Sequence, residues 1–325
     1  MHAFPLAGSE RDEAMMSGGL TFLSVDQSRM QASMGEQLVK VLKTYSFGKM
    51  KVERTEEELL ELAPIILSSI TGVKRNAEET KGLLGGSYVM TNDNLLKMVA
   101  IFARVRCNIP VVLMGECGCG KSQLMKFLSE FLKIKLVTLN IHGGTTEEDV
   151  MNIFKEAALV AKNIEVWVFL DEVNTSPEIG LLTEAITART LHGVPIAEGI
   201  VVLGAVNPYR RRVQHQQQAG FSLHQHANAA AEGGVPVDEM QDLVYRVFPL
   251  PASLLAYVFD FGALRPEQEA LYIVAMIRRK YPAVPERQRE VVSAMISSSQ
   301  SFHRHSEGDE SSAVSLRDVE RCLRL

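Results

Sequence analysis

Residues 109–122 constrain this chain more than any other stretch. Ile109-Pro110-Val111-Val112-Leu113-Met114 is a short apolar, β-branched run, and it reads as a buried strand. Gly115-Glu116-Cys117-Gly118-Cys119-Gly120-Lys121-Ser122 comes next and fits G-x-x-x-x-G-K-[ST]. Residues 123–132 then continue at helical spacing. Strand, glycine-rich loop and helix in that order predict a phosphate-binding loop.

The residue types match the chemistry of such a loop. A triphosphate crowds the backbone, so Gly115, Gly118 and Gly120 leave out side chains and permit positive φ. The N–H groups of Glu116, Cys117, Cys119 and their neighbours can then wrap phosphate, aided by the positive end of the helix that opens at Gln123. Lys121 supplies a mobile charge for the β- and γ-phosphates of ATP, and Ser122 a hydroxyl ligand for Mg²⁺.

A second informative stretch is Glu165-Val166-Trp167-Val168-Phe169-Leu170-Asp171-Glu172. A continuous apolar run predicts a central parallel strand covered on both faces. Carboxylates at its C-terminal end lie where open α/β folds bind ligands. Asp171 is expected to hold Mg²⁺, and Glu172 to orient and deprotonate the attacking water. Residues 200–206 read as a further strand ending at Asn207-Pro208. An amide at that tip can bond the attacking water or the γ-phosphate, although Asn-Pro by itself is also a plain turn.

In chain order, residues 1–20 carry little pattern and are expected to be disordered, and residues 21–84 read as a helical N-terminal segment. Within it, 37–42 suits one amphipathic helix, and Thr55-Glu56-Glu57-Glu58 opens a second whose apolar face is Leu59, Leu60, Leu62, Ile65, Ile66 and Ile70. An α/β nucleotide domain is expected over 85–251. It begins with an extended piece at 88–91 and a capped helix to Arg106. Its position before the phosphate loop suits a base-contacting segment, and core packing explains its apolar residues equally well. Residues 135–140 read as a strand, and a helix capped by Thr145 and Thr146 runs to Lys162. Ser176-Pro177 reads as a helix start with the helix running to about Thr190. Residues 209–236, rich in Gln, His, Ala and Gly, read as a flexible insertion. A helix over 238–246 and a fifth strand over 247–250 come after it. Residues 252–325 read as a helical lid, with helices at 252–261, 266–281, 285–303 and from Ser315.

Composition narrows the partners. The 325 residues are 46 % hydrophobic and 22 % charged, ordinary for a globular chain, and their number suggests two domains, or one large one with a satellite. A net charge of −5 gives no electrostatic case for nucleic acid or an anionic membrane, and disfavours a DNA-processing role. Arg210-Arg211-Arg212 reads best as a solvated loop. No apolar run approaches the roughly 20 residues of a membrane helix, and the N-terminus lacks a signal-peptide pattern. Two of the four cysteines, Cys117 and Cys119, lie in the phosphate loop, and Cys107 and Cys322 complete the set. A disulfide there would distort the cradle, so the expected compartment is reducing, hence cytoplasmic.

Taken together, an α/β nucleotide domain, an apolar strand ending in Asp-Glu, a strand ending in Asn and a helical lid resemble the AAA+ ATPases. The wording of 108–115, 141–146, 169–175, 206–210 and 243–251 resembles the ATPase units of mysterin, a giant dynein-like AAA+ family carrying a RING-finger ubiquitin ligase region. Dynein and midasin are more distant relatives. The resemblance implies a P-loop NTPase AAA+ fold, a five-stranded parallel sheet between helices with a C-terminal helical lid and an N-terminal helical segment. It matches Asn207 to sensor 1, Arg246 to the arginine finger acting in a neighbouring module, and Arg317 to sensor 2. From the residues alone, Arg246 and Arg317 are simply surface arginines. The resemblance further implies Mg-dependent ATP hydrolysis coupled to conformational change, with neighbouring AAA+ modules as partners and the chain as a fragment of a longer polypeptide. The alternative is a structural module that holds ATP without turnover. The family's loop usually reads G-E-T-G-C-G-K-T, and here Cys117 and Ser122 each replace Thr. Paired Cys/His ligands of a RING finger are absent from the sequence, so ligase activity is not expected of this chain.

Overall fold

A computed structural model describes residues 56–83, 88–210, 243, 245–262, 266–306 and 315–324. Its elements in order are α1 (Glu56–Thr71), α2 (Ala77–Leu83), α3 (Asn92–Arg106), β1 (Val111–Met114), α4 (Lys121–Leu132), β2 (Lys135–Asn140), α5 (Glu147–Ala161), β3 (Val166–Asp171), a 3₁₀ turn (Val173–Thr175) and α6 (Ile179–Thr187). A hairpin of β4 (Thr190–Leu191) and β5 (Val194–Pro195) comes next, then β6 (Ile200–Val206), α7 (Ala252–Leu255), β7 (Val258–Asp260), α8 (Pro266–Lys280), α9 (Glu286–Ser306) and α10 (Leu316–Cys322).

Five strands form one sheet in the order β2-β3-β6-β1-β7, all parallel. Every residue of β3 is buried, as its unbroken apolar run requires of a strand covered on both faces. Its side chains alternate between two cores. Trp167 and Phe169 join Leu113 of β1 and Leu203 and Ala205 of β6 beneath α1, α3 and α4. Val166, Val168 and Leu170 join Val112, Val202 and Val206 against α5 and α6. The result is a three-layer α/β/α unit with strands ending together at one edge.

Capping follows local chemistry. Thr146 and Asp149 form a reciprocal capping box at α5. The Thr146 amide and hydroxyl hold the Asp149 carboxyl below its ordinary range. Thr91 caps α3 by accepting from the Asn94 N–H at 3.1 Å. The 88–91 piece is core: Tyr88, Val89 and Met90 are buried, and Tyr88 stacks on Phe127 with ring centroids 5.5 Å apart. Burial pushes the Tyr88 phenol well above its usual range. Further along α3, burial lowers the Arg104 guanidinium to about 10. In α1 Leu59, Ala63, Pro64, Ile66 and Leu67 are buried, while Ile65 is half exposed.

Helices α8, α9 and α10 pack together around Ile273, Ile277, Val319 and Leu323. This bundle reaches back to the sheet unit through Tyr272, whose hydroxyl accepts from Asn94 Nδ2 and donates to the Val89 carbonyl at 3.1 Å.

Several expected elements differ. The fifth strand is Val258–Asp260, not 247–250. Pro249 and Pro251 cannot donate to a ladder, and the Phe248 N–H instead donates to Asn174 O at 2.7 Å. The expected 252–261 helix is therefore a single turn, after which Val258 and Phe259 pair with Val112 and Leu113. Tertiary pairing beside β1 overrides helix propensity there. The helix expected from Ser176 starts at Ile179, after the 3₁₀ turn, and stops at Thr187. It gives way to a hairpin whose loop residues His192 and Gly193 both have positive φ, the two-residue geometry that matches strand twist. Leu243 makes a β-bridge and Arg246 has no regular structure, so the C-terminal part of the helix expected over 238–246 is absent; 238–242 lie outside the described residues. The expectations for 1–20, the 37–42 helix and 211–236 of the insertion also lie outside them.

Trp167 is fully buried on the interior strand β3, and its indole donates to Glu165 at 2.7 Å. Trp167→Ala is expected to cost about 3–5 kcal/mol, read as a lowered denaturation midpoint with an unchanged slope.

Candidate functional site

Three strand tips meet at one edge of the sheet because β6 lies between β1 and β3. The loop 115–120 leaves β1, Asp171 and Glu172 end β3, and Asn207 ends β6. In the sequence these groups are up to about 90 residues apart; parallel register makes them neighbours.

Lys121 is buried to 6 % exposure and aims its ammonium back into the loop. It donates to Gly115 O at 2.6 Å and Glu116 O at 3.1 Å, and lies 3.4 Å from Asn207 Oδ1. These are neutral acceptors, so the buried cation has no counter-anion among them. Ser122 Oγ donates directly to Asp171 Oδ2. A hydroxyl and a carboxylate side by side form a hard oxygen pair of the kind that suits Mg²⁺. Glu172 adopts a left-handed conformation, φ 61°, which is uncommon for a residue with a side chain. The strain sits at the turn that leads from β3 into the 3₁₀ segment.

Asn174 positions the tip of β6. Its fully buried amide donates to Asn207 O at 2.8 Å, and its Oδ1 accepts from Asn207 N at 3.1 Å. This clasp holds the peptide that presents the Asn207 side chain. Thr175 Oγ1 reaches the carbonyls of Ile141 and Glu172 at 3.0 and 2.8 Å, bracing the same turn. The sequence pattern assigned Asn174 no role; the signal it offered was a polar residue two positions after Asp-Glu.

The lid touches the loop at Gly118. With φ 82°, that residue would carry a Cβ only 2.9 Å from Ser315 Cβ. Ser315 caps α10, so the first turn of α10, including exposed Arg317, lies beside the phosphate loop. Arg246 is exposed and is not brought into the cluster. Cys119 is buried beneath the loop, where burial pushes its thiol up against the opposing pull of the Lys121 charge. Gln123 stands in the first turn of α4 and is exposed. No group of three or more His, Cys, Asp or Glu suited to a metal occurs among the described residues.

A phosphate loop between a parallel strand and a helix, with strand β6 bringing Asn207 beside it, defines a P-loop nucleotide-binding fold of the AAA+ class. Residues 88–210 match the family model described as the RNF213 AAA domain. The zebrafish (Danio rerio) E3 ubiquitin-protein ligase rnf213-beta is 33 % identical over 94 % of this chain, and the human E3 ubiquitin-protein ligase RNF213 is 38 % identical over 74 % of it. The chain carries an AAA+ module that resembles those of RNF213, or mysterin. It spans only 6 % and 5 % of the length of these two relatives. Among solved structures, the Thermotoga maritima RuvB Holliday junction branch migration motor overlays on 76 % of this chain and 60 % of its own at 13 % identity, with a TM-score of 0.34, too loose to carry an argument. No helix among the described residues is long and apolar enough to cross a membrane.

Asn174→Ala leaves the buried Asn207 N–H and C=O without these partners. A loss of about 2–4 kcal/mol is expected, seen as a drop of several degrees in Tm.

Proposed function

We propose that this chain is an ATP-binding and ATP-hydrolysing AAA+ module, in which nucleotide state is coupled to the placement of the lid. The observation that carries the reading is the convergence of Lys121, the Ser122–Asp171 pair and Asn207 where the tips of β3 and β6 meet the start of α4. The loop from Gly115 to Gln123 holds the triphosphate through its N–H groups, with Lys121 toward the β- and γ-phosphates. Ser122 and Asp171 hold Mg²⁺, whose charge offsets that of the phosphates. Glu172 orients and deprotonates the attacking water, and Asn207 fixes that water or the γ-phosphate.

Two arginines complete the assignment. The contact of Ser315 with Gly118 supports a sensor role in cis for Arg317, two residues on. The exposure of Arg246 suits a finger acting in a neighbouring module, on the same chain or in an oligomer, within a mysterin-like protein of the ubiquitin ligase type. An arginine supplied in trans is worth about 10³–10⁵ in rate, so the isolated chain turns over slowly. The free thiols of Cys117 and Cys119 within the loop support a reducing, cytoplasmic setting.

Single-turnover hydrolysis with the parent chain and a Glu172→Gln variant tests the reading. Both are expected to bind ATP with similar affinity, while the variant loses about 10²–10⁴ in rate. If both bind and neither turns over, even with flanking modules added, the chain is a non-hydrolysing ATP-binding module. If neither binds, the nucleotide assignment is wrong.

A further inference from the structure

Glu116 is an acidic side chain inside a loop suited to phosphate, and its carboxylate does not point at the loop's own lysine. Two residues far away in the chain hold it. The Tyr245 hydroxyl donates to Glu116 Oε2, and an Arg210 guanidinium nitrogen lies 3.5 Å from Oε1. The same Tyr245 hydroxyl accepts from the Cys117 N–H at 3.4 Å. One phenol therefore touches both the carboxylate and a backbone donor of the phosphate loop.

The three residues after Tyr245 tie this contact to the rest of the site. Arg246 comes first and is exposed. Val247 is buried, and the Phe248 N–H donates to Asn174 O, the residue whose side chain clasps Asn207. The segment bearing Arg246 is thus pinned on one side to the phosphate loop and on the other to the tip of β6.

We propose that Tyr245 is a positioning residue through which the nucleotide state of the phosphate loop is passed to Arg246. The proposal rests on the reading of 115–122 as a nucleoside triphosphate site. Phosphate oxygens compete with the Tyr245 hydroxyl for loop N–H donors, and their negative charge repels the Glu116 carboxylate that Tyr245 holds. Both effects loosen Tyr245, so triphosphate binding frees the segment that carries Arg246. Linkage is reciprocal: triphosphate binding that loosens Tyr245 implies that release of Tyr245 tightens triphosphate binding, by at most the same factor.

The test measures hydrogen exchange of the amides of 245–248 in the 325-residue chain, with and without Mg²⁺ and a non-hydrolysable ATP analogue, together with the analogue's affinity. In the parent, the analogue is expected to speed exchange in this segment. Tyr245→Phe keeps the ring and drops the hydroxyl. It is expected to show the faster exchange without the analogue, no further change with it, and about 5-fold tighter binding, the lower end of usual coupling factors. Glu116→Gln, nearly isosteric, is expected to shift both readouts in the same direction and serves if Tyr245→Phe folds poorly. A tyrosine that is only structural would raise exchange equally with and without the analogue, and leave affinity unchanged. That result, or a parent that binds the analogue with no change in 245–248, overturns the proposal. A parent that fails to bind the analogue at all overturns the nucleotide reading itself, and the proposal with it.

Discussion

The pairing of β6 with β1 on one side and β3 on the other is the interaction on which the site depends. Without it the phosphate loop and the Asp171-Glu172 pair would sit on separate strands with nothing between them. With it, Asn207 is delivered to within reach of Lys121, and Ser122 faces Asp171. The close fit extends to the helix layer. Gly204 lies in the middle of β6, where an added Cβ would fall 2.9 Å from Ile186 Cδ1, so α6 packs directly on the backbone of the strand.

Around that centre, several polar side chains hold backbone, while the Ser122–Asp171 and Lys121–Asn207 pairs hold one another. Asn174 clasps the Asn207 peptide, Thr175 braces the turn after β3, and Lys121 directs its donors to loop carbonyls. Buried polar groups with full partners specify one geometry, since any shift strands a donor or acceptor in a dry environment. The strained Glu172 turn is kept in place by the same network. The contacts of the lid include Ser315 over Gly118 and Tyr272 against Val89 and Asn94. One touches the loop and the other the segment before α3, so the lid is anchored at both places.

Much of this was legible in the residues. The unbroken apolar run of β3 announced a central parallel strand, because only a strand covered on both faces can dispense with polar positions, and the runs of β1 and β6 announced a buried strand and a further one. Gly115 to Ser122 announced the loop by composition, since few side chains can be tolerated in a phosphate cradle. The similarity of the chain to the RNF213 proteins agrees with the resemblance carried by its motifs. The fifth strand was misplaced because three residues, Val258 to Asp260, carry too little periodicity to outweigh the helical look of their surroundings. The hairpin at 190–195 was missed for the same reason: two-residue strands have no period to read.

By itself the sequence determined the class of fold and the residue types of the phosphate loop, because both follow from local patterns of burial and backbone freedom. Only the tertiary structure decided which distant groups share the site. Strand order put Asn207 between the loop and Asp171, Asn174 came to clasp the Asn207 peptide, and Tyr245 and Arg210 came to grip Glu116. Such contacts join positions about 30 to 130 residues apart, and no local propensity encodes them. They arise when hydrophobic burial on both faces of the sheet fixes the register, and the polar side chains at its edge take the partners that register leaves within reach.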